Sequence, residues 1–280
     1  MLLPRIITAL VLLALLLPAL FASTPLPFAL LTLVMIAAGG WEWSRLNGRP
    51  GAPALAFGAA LAAACGVCLY AVNAVGFALP AWCWWIVGGL WVLGGAQALK
   101  TGVAGWPTLP VGLRLLLGAV LLWAAWLALI SARARGINFL LSAMCLVWMA
   151  DIAAYIFGKL FGRRKLAPAI SPGKSWEGAL GGLFGVVVMA AVWVHGIDTH
   201  LPVDGPSLYQ ILVKRLGWLS LLAVVFLTAM SVVGDLFESL VKRAAGAKDS
   251  SQLLPGHGGV LDRVDALLPV LPLAMALSSL

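Results

Sequence analysis

The chain has 280 residues, of which 62% are hydrophobic and only 10% charged, and a formal net charge of +8. A water-facing surface needs about 25% charged residues, so a soluble globular protein is excluded and an all-α polytopic integral membrane protein is predicted. The cationic excess suits loops that set orientation and meet anionic lipid, and without basic stretches interleaved with aromatics no nucleic-acid partner is expected.

From the N-terminus, MLLPRIITALVLLALLLPALFAS has the arginine, apolar core and small residues of a secretory signal. A second apolar run follows within a few residues, so the segment is read as a retained helix. A span needs about 20 apolar residues. Nine runs qualify, near 6–22, 26–44, 53–72, 79–98, 113–131, 137–158, 177–195, 216–236 and 263–279. The first two predict a tight hairpin around Ser23-Thr24-Pro25. Cys65 and Cys68 form a CxxC inside LAAACGVCLYAV, with no second pair and no nearby histidine. Helix packing by small residues is the reading here, not a redox or metal site. Cys83 and Cys145 also lie in apolar runs, so no disulfide framework is expected. His195 and His200, in VHGIDTH, are expected on a solvated loop.

With the N-terminus in the cytoplasm, nine spans place fourteen cations inside, Arg5 among them. Four lie outside: Arg133, Arg135, Lys214 and Arg215. The asymmetry predicts that orientation. Acids are not sorted by insertion, yet only Asp198 and Asp204 fall outside. The chain divides into N-terminal helices, about five over 1–135, and a catalytic membrane region over 136–280 with its site on the cytoplasmic face.

Three polar clusters meet that face. In the first, Asp151, Tyr155 and Lys159 are spaced i, i+4, i+8 and form one helical stripe. An acid inside a span costs several kcal/mol unless paired or solvated, which makes Asp151 a functional candidate. The loop Ser171-Pro172-Gly173-Lys174-Ser175 then precedes a helix expected to begin near Trp176. Free N–H groups fronted by Ser171, Lys174 and Ser175 suit a phosphate, although the GxxxxGK[ST] spacing is missing. In the second cluster Asp235, Ser239 and Lys242 share a helix face, with Glu238 and Lys242 at i, i+4. In the third, PGHGGVLDRVD, Asp262 and Asp265 open the last apolar run. They complement a helix start; met by Asp235 across a helix pair, they would also form a hard-oxygen site for Mg²⁺.

The run Ser239-Leu-Val-Lys242-Arg243-x4-Lys248-Asp249-x-Ser251-x2-Leu254-Pro255-x-His257-Gly258-Gly259-Val260-x-Asp262-Arg263-Val264-Asp265 resembles the signature of the phosphatidate cytidylyltransferases, the CDP-diacylglycerol synthases. Its fixed positions match over 27 residues, with Ala266 where many members carry serine. AYIFGKLFGRRKLAPAISPGKSWEG resembles the second conserved block of that family. The resemblance implies transfer of CMP from CTP to phosphatidic acid, a homodimer, and a bacterial cytoplasmic membrane. It also implies Mg²⁺, paired with K⁺, on Asp235 and Asp262. The expected catalytic residues are Asp235, Asp262, Lys242 and Arg263, with Asp265 as a further metal ligand. Ser171, Lys174, Ser175, Ser239, Arg243, Lys248, Asp249 and His257 are expected to bind substrate. On the residues alone, a transporter of an anionic substrate and a CTP-dependent lipid kinase stay open.

Overall fold

The structure is a computed structural model that describes residues 3–75 and 79–280; the Arg5 side chain lies outside the described residues. The helices are α1 (Leu3–Leu20), α2 (Leu26–Leu46), α3 (Ala52–Val75), α4 (Ala81–Gly105), α5 (Val111–Arg135) and α6 (Ile137–Phe161). A two-stranded antiparallel hairpin follows, β1 (Lys165–Ala167) and β2 (Ser171–Ser175). Then come α7 (Trp176–Val192), α8 (Asp198–His200), α9 (Leu208–Leu216), α10 (Ser220–Ala244), α11 (Leu261–Val264) and α12 (Leu267–Leu277). Among the described residues seven helical segments are long and apolar enough to cross a membrane, from Leu26–Leu46 to Leu208–Ala244. They coincide with the second to eighth predicted runs.

The last run behaves differently. It breaks between α11 and α12, and α12 has 11 residues with Pro272 inside. That is about 17 Å of helix at about 1.5 Å per residue, against about 30 Å of hydrocarbon. Leu267 to Ala276 are all buried, and α12 packs against α4, α5, α6 and α10. It forms the centre of the bundle. Residues 193–200 also depart from expectation: α7 continues through a π turn, Trp193–Ile197, into α8, so His195 and His200 are helical. The π turn lets the helix carry Asp198 back toward Asn138 Nδ2, at 2.7 Å.

Each end of the bundle is tied by its own polar contacts. At one end Trp43 Nε1 donates to Arg114 O at 2.9 Å, and Trp106 Nε1 to Asn47 Oδ1 at 2.9 Å. At the other, buried Arg133 donates to Leu20 O and Ala22 O at 2.9 and 3.0 Å, fixing the first hairpin. Helices α6 and α7 lie very close, because Gly182 faces the Ala150 carbonyl; a Cβ there would stand 2.7 Å from it. Small residues allow such approaches between membrane helices. Phe237 of α10 is gripped by Trp43, Trp91 and Trp106, with ring centroids 6.1, 5.4 and 5.4 Å away. Each such pair adds about 0.5–1.5 kcal/mol beyond burial. Two residues earlier stands Asp235, so the aromatic cluster sets the rotation of α10 at the site.

Candidate active site

The i, i+3, i+4, i+7 spacing on α10 puts Asp235, Glu238, Ser239 and Lys242 on neighbouring rows of one helix. Lys242 Nζ lies 2.5 Å from Glu238 Oε2 and 2.5 Å from Asp262 Oδ1. Glu238 is buried, and the Lys242 ammonium beside it offsets part of the cost of burying an acid. Asp262 Oδ2 accepts from Ser250 N, Ser250 Oγ and Gly259 N, each at 2.8 Å. Burial pushes the Asp262 carboxyl up, but the Lys242 ammonium and the two amide N–H groups outweigh it and hold it below the usual carboxylate range. The loop closes through Leu254 N to Gly258 O at 2.8 Å. Gly258 has φ 79°, and a Cβ on it would stand 2.7 Å from Asp262 Oδ2. Only glycine meets both conditions.

The loop is also held from a distant part of the chain. Glu42 of α2 is fully buried. It accepts from Ser251 Oγ at 2.6 Å, Leu261 N at 2.7 Å, Val260 N at 2.9 Å and Ser250 Oγ at 3.2 Å. Its carboxylate thus serves two loop serines and two N–H groups at the start of α11, one residue from Asp262. Sequence reasoning assigned it no role. The signal was there: Glu42 is the sole acid before Asp151 and sits in the apolar run AAGGWEWSRL.

A cavity of about 490 Å³ opens beside Asp235, and Asp151, Tyr155, Lys159, Ser171, Lys174 and Ser175 are among its lining residues. Lys174 forms an ion pair with Asp235 Oδ2, and Ser239 Oγ donates to Asp235 Oδ1 at 3.3 Å. Asp265 stands within electrostatic reach of Asp235 and Asp151, and its Oδ1 accepts from Ala266 N at 2.8 Å. Ser175 caps α7, accepting from Gly178 N at 3.1 Å, while Glu177 receives the N–H groups of Arg163 and Arg164. The expected polar loop is therefore a hairpin locked to a helix start.

Other expected residues lie apart. Exposed Arg243 donates to Ile170 O at 3.4 Å and Ala247 O at 3.2 Å, joining the end of α10 to the turn of the hairpin. Lys248 and Asp249 line a second cleft of about 750 Å³ with Trp41 and Arg45, where Arg45 lies 4.4 Å above the Trp41 ring. Arg263 Nε donates to His257 O at 3.0 Å and braces the glycine loop; His257 Nδ1 is buried without a hydrogen-bond partner.

Among the described residues no three His, Cys, Asp or Glu side chains close on a common point. Both Asp262 oxygens are engaged, by Lys242, Ser250 and Gly259. Asp235 and Asp151 line the cavity, and Asp265 stands within electrostatic reach of both without lining it; carboxylate oxygens are the donors that hard divalent cations take.

The model of the cytidylyltransferase family matches residues 3–280. The chain belongs to the cytidylyltransferase family. It is 41% identical to a phosphatidate cytidylyltransferase of Pseudomonas aeruginosa, over 99% of this chain and 97% of that protein. A phosphatidate cytidylyltransferase of Haemophilus influenzae is 35% identical over 97% of this chain and 96% of its own length. One from Staphylococcus haemolyticus is 41% identical over 51% of this chain and 50% of its own length. The cytidylyltransferase match takes in the N-terminal helices as well as the polar half, and α2 contributes Glu42 to the site.

Proposed function

We infer that the chain is a phosphatidate cytidylyltransferase that makes CDP-diacylglycerol and pyrophosphate from CTP and phosphatidic acid. The observation that carries this reading is the Asp235 cavity. Lys174 of β2 stands there beside Asp235, with Lys242 of α10 paired to Glu238 and Asp262 close by, while Tyr155, Ile156 and Leu160 of α6 are exposed on the bundle's flank. An oxygen of phosphatidic acid bonds to the α-phosphorus of CTP, the α–β phosphoanhydride bond breaks, and pyrophosphate leaves. The attacking phosphate is already largely dianionic at neutral pH, with a second pKa of about 6 for such monoesters. No general base is required of the chain.

Both reactants are anions, so repulsion between them is the first barrier. Lys174 and Lys242 are the cations placed to lower it, fixed in advance rather than recruited. Ser171 and Ser239 add hydroxyl donors near Asp235. Asp235 and Asp265, with Asp151 beside them, are the donors that fit Mg²⁺. Bound there, the metal would neutralise phosphate charge and hold the reacting groups in line. Asp262 keeps Lys242 and the glycine loop in place. The fourteen-to-four cation asymmetry supports a cytoplasmic N-terminus and a cytoplasm-facing site in a bacterial cytoplasmic membrane. The family resemblance supports a homodimer. The test is transfer from CTP labelled separately at the α- and γ-phosphate. Label in lipid from the α position alone is expected; γ-label in lipid would make the chain a kinase, and no label at all would remove the transferase reading.

A further inference from the structure

The end of the bundle opposite the Asp235 cavity carries a groove of about 950 Å³ that nucleotidyl transfer leaves unused. Arg135, Phe139, Gln210, Val213, Lys214 and Arg215 are among its lining residues, and no acidic side chain lines it. Its three cations come from two elements. Arg135 ends α5, and Lys214 and Arg215 occupy the last turn of α9. They are three of the four cations that run against the orientation rule. The two acids of this end are committed elsewhere: Asp204 to the N–H groups of Ile137 and Asn138, Asp198 to Asn138 and Ser207. Arg135 donates to Ser278 Oγ and lies 5.2 Å from the Phe139 ring. Arg215 stands close enough to repel it. Among the described residues no salt bridge reaches any of the three.

Cations in a last helical turn complement the helix dipole, which accounts for Lys214 and Arg215 taken singly. It does not account for their convergence with Arg135, from another helix, on one concave surface without counter-charge. Such a surface repels itself until an anion fills it. Its setting narrows the anion. Helix α9 packs Leu208, Tyr209 and Leu212 inward. Val213 is exposed, and Trp218 just beyond is 80% exposed. Exposed tryptophan beside cations marks the headgroup layer of a bilayer. We propose that this groove binds the phosphodiester headgroup of an anionic glycerophospholipid from the leaflet on that side, at a site separate from the transfer site. The two arginines offer planar forks for the phosphate oxygens, and the acyl chains run along the apolar flank.

The test uses the full chain in phosphatidylcholine nanodiscs containing phosphatidylglycerol, with retained lipid measured by native mass spectrometry. The unmodified protein is expected to retain phosphatidylglycerol over phosphatidylcholine, and to do so less as salt rises. The double variant Lys214→Ala, Arg215→Ala is expected to lose that preference by about tenfold or more, the scale that cations near anionic lipid supply. Its CDP-diacylglycerol formation in micelles should stay at the unmodified level. A preference that ignores both salt and the two substitutions overturns the proposal. So does displacement of the lipid by inorganic phosphate at equal headgroup concentration, which would make this a free-anion site. Protection of the groove by a second copy, read from crosslinks across it, also overturns it.

Discussion

Glu42→Gln keeps the volume of the side chain but turns one acceptor oxygen into a donor. Oε1 serves Ser251 Oγ and Val260 N; Oε2 serves Ser250 Oγ and Leu261 N. Whichever oxygen is replaced, one buried backbone N–H loses its acceptor and faces another donor. The serine hydroxyl can rotate away, but the N–H cannot. A buried donor left unmade costs about 1–3 kcal/mol. The cost falls on the ordered loop that leads into Asp262, and about 2 kcal/mol lowers its ordered-to-disordered ratio about thirtyfold. The expected result is a kcat reduced by up to about that factor, with little change in the half-saturating CTP concentration. Glu42→Asp, one methylene short, should recover only part of it. The assay is incorporation of α-labelled CTP into lipid in mixed micelles, alongside hydrogen exchange of residues 249–261. Exchange should rise there and stay unchanged in the close-packed α6–α7 pair. Unchanged turnover and unchanged loop exchange in Glu42→Gln would refute the reasoning. Equal loss of protection in every helix would also refute it, since Glu42 would then serve the whole bundle.

Asp235→Asn should remove nearly all transfer while the protein inserts and purifies normally; ordinary turnover at ordinary Mg²⁺ would end its assignment to the metal. Lys174→Ala should raise KM for CTP or lower kcat more than it shifts the response to phosphatidic acid, read from steady-state kinetics with each substrate varied in turn. The depressed Asp262 carboxyl gives stability that is fully present above the ordinary aspartate value of about 3.9 and is lost as pH falls through its lower native value. Thermal midpoints followed across the acid range should therefore fall less steeply in Asp262→Asn than in the unmodified chain.

Seven of the spans were legible because each is a lone apolar run bounded by prolines, glycines or charges, and hydropathy reads such runs directly. The last run was legible as apolar, but its break between α11 and α12 and its burial were not. Composition cannot separate a segment that lipid surrounds from one that other helices surround, and α12 is of the second kind. Lys242 with Glu238 was legible as a helical pair. Its second partner, Asp262, is twenty residues away and depends on a loop that folds back. Ser175 was legible as a helix-start residue, but whether its hydroxyl caps α7 or meets a ligand is decided by Gly178 N, three residues on. Glu42 was the largest omission. Its partners lie over two hundred residues away, and no local pattern announces them; its isolation in apolar surroundings was the available sign.

The burial of α12 bears on how the molecule is assembled. The helix is synthesised after α4, α5, α6 and α10, the elements that enclose it. The centre of the finished bundle is therefore supplied by the last helix to be made. The chain segment carrying Asp262 and Asp265 is drawn in with α12. Packing of the bundle centre and placement of Asp262 and Asp265 at the site therefore depend on the same stretch of chain.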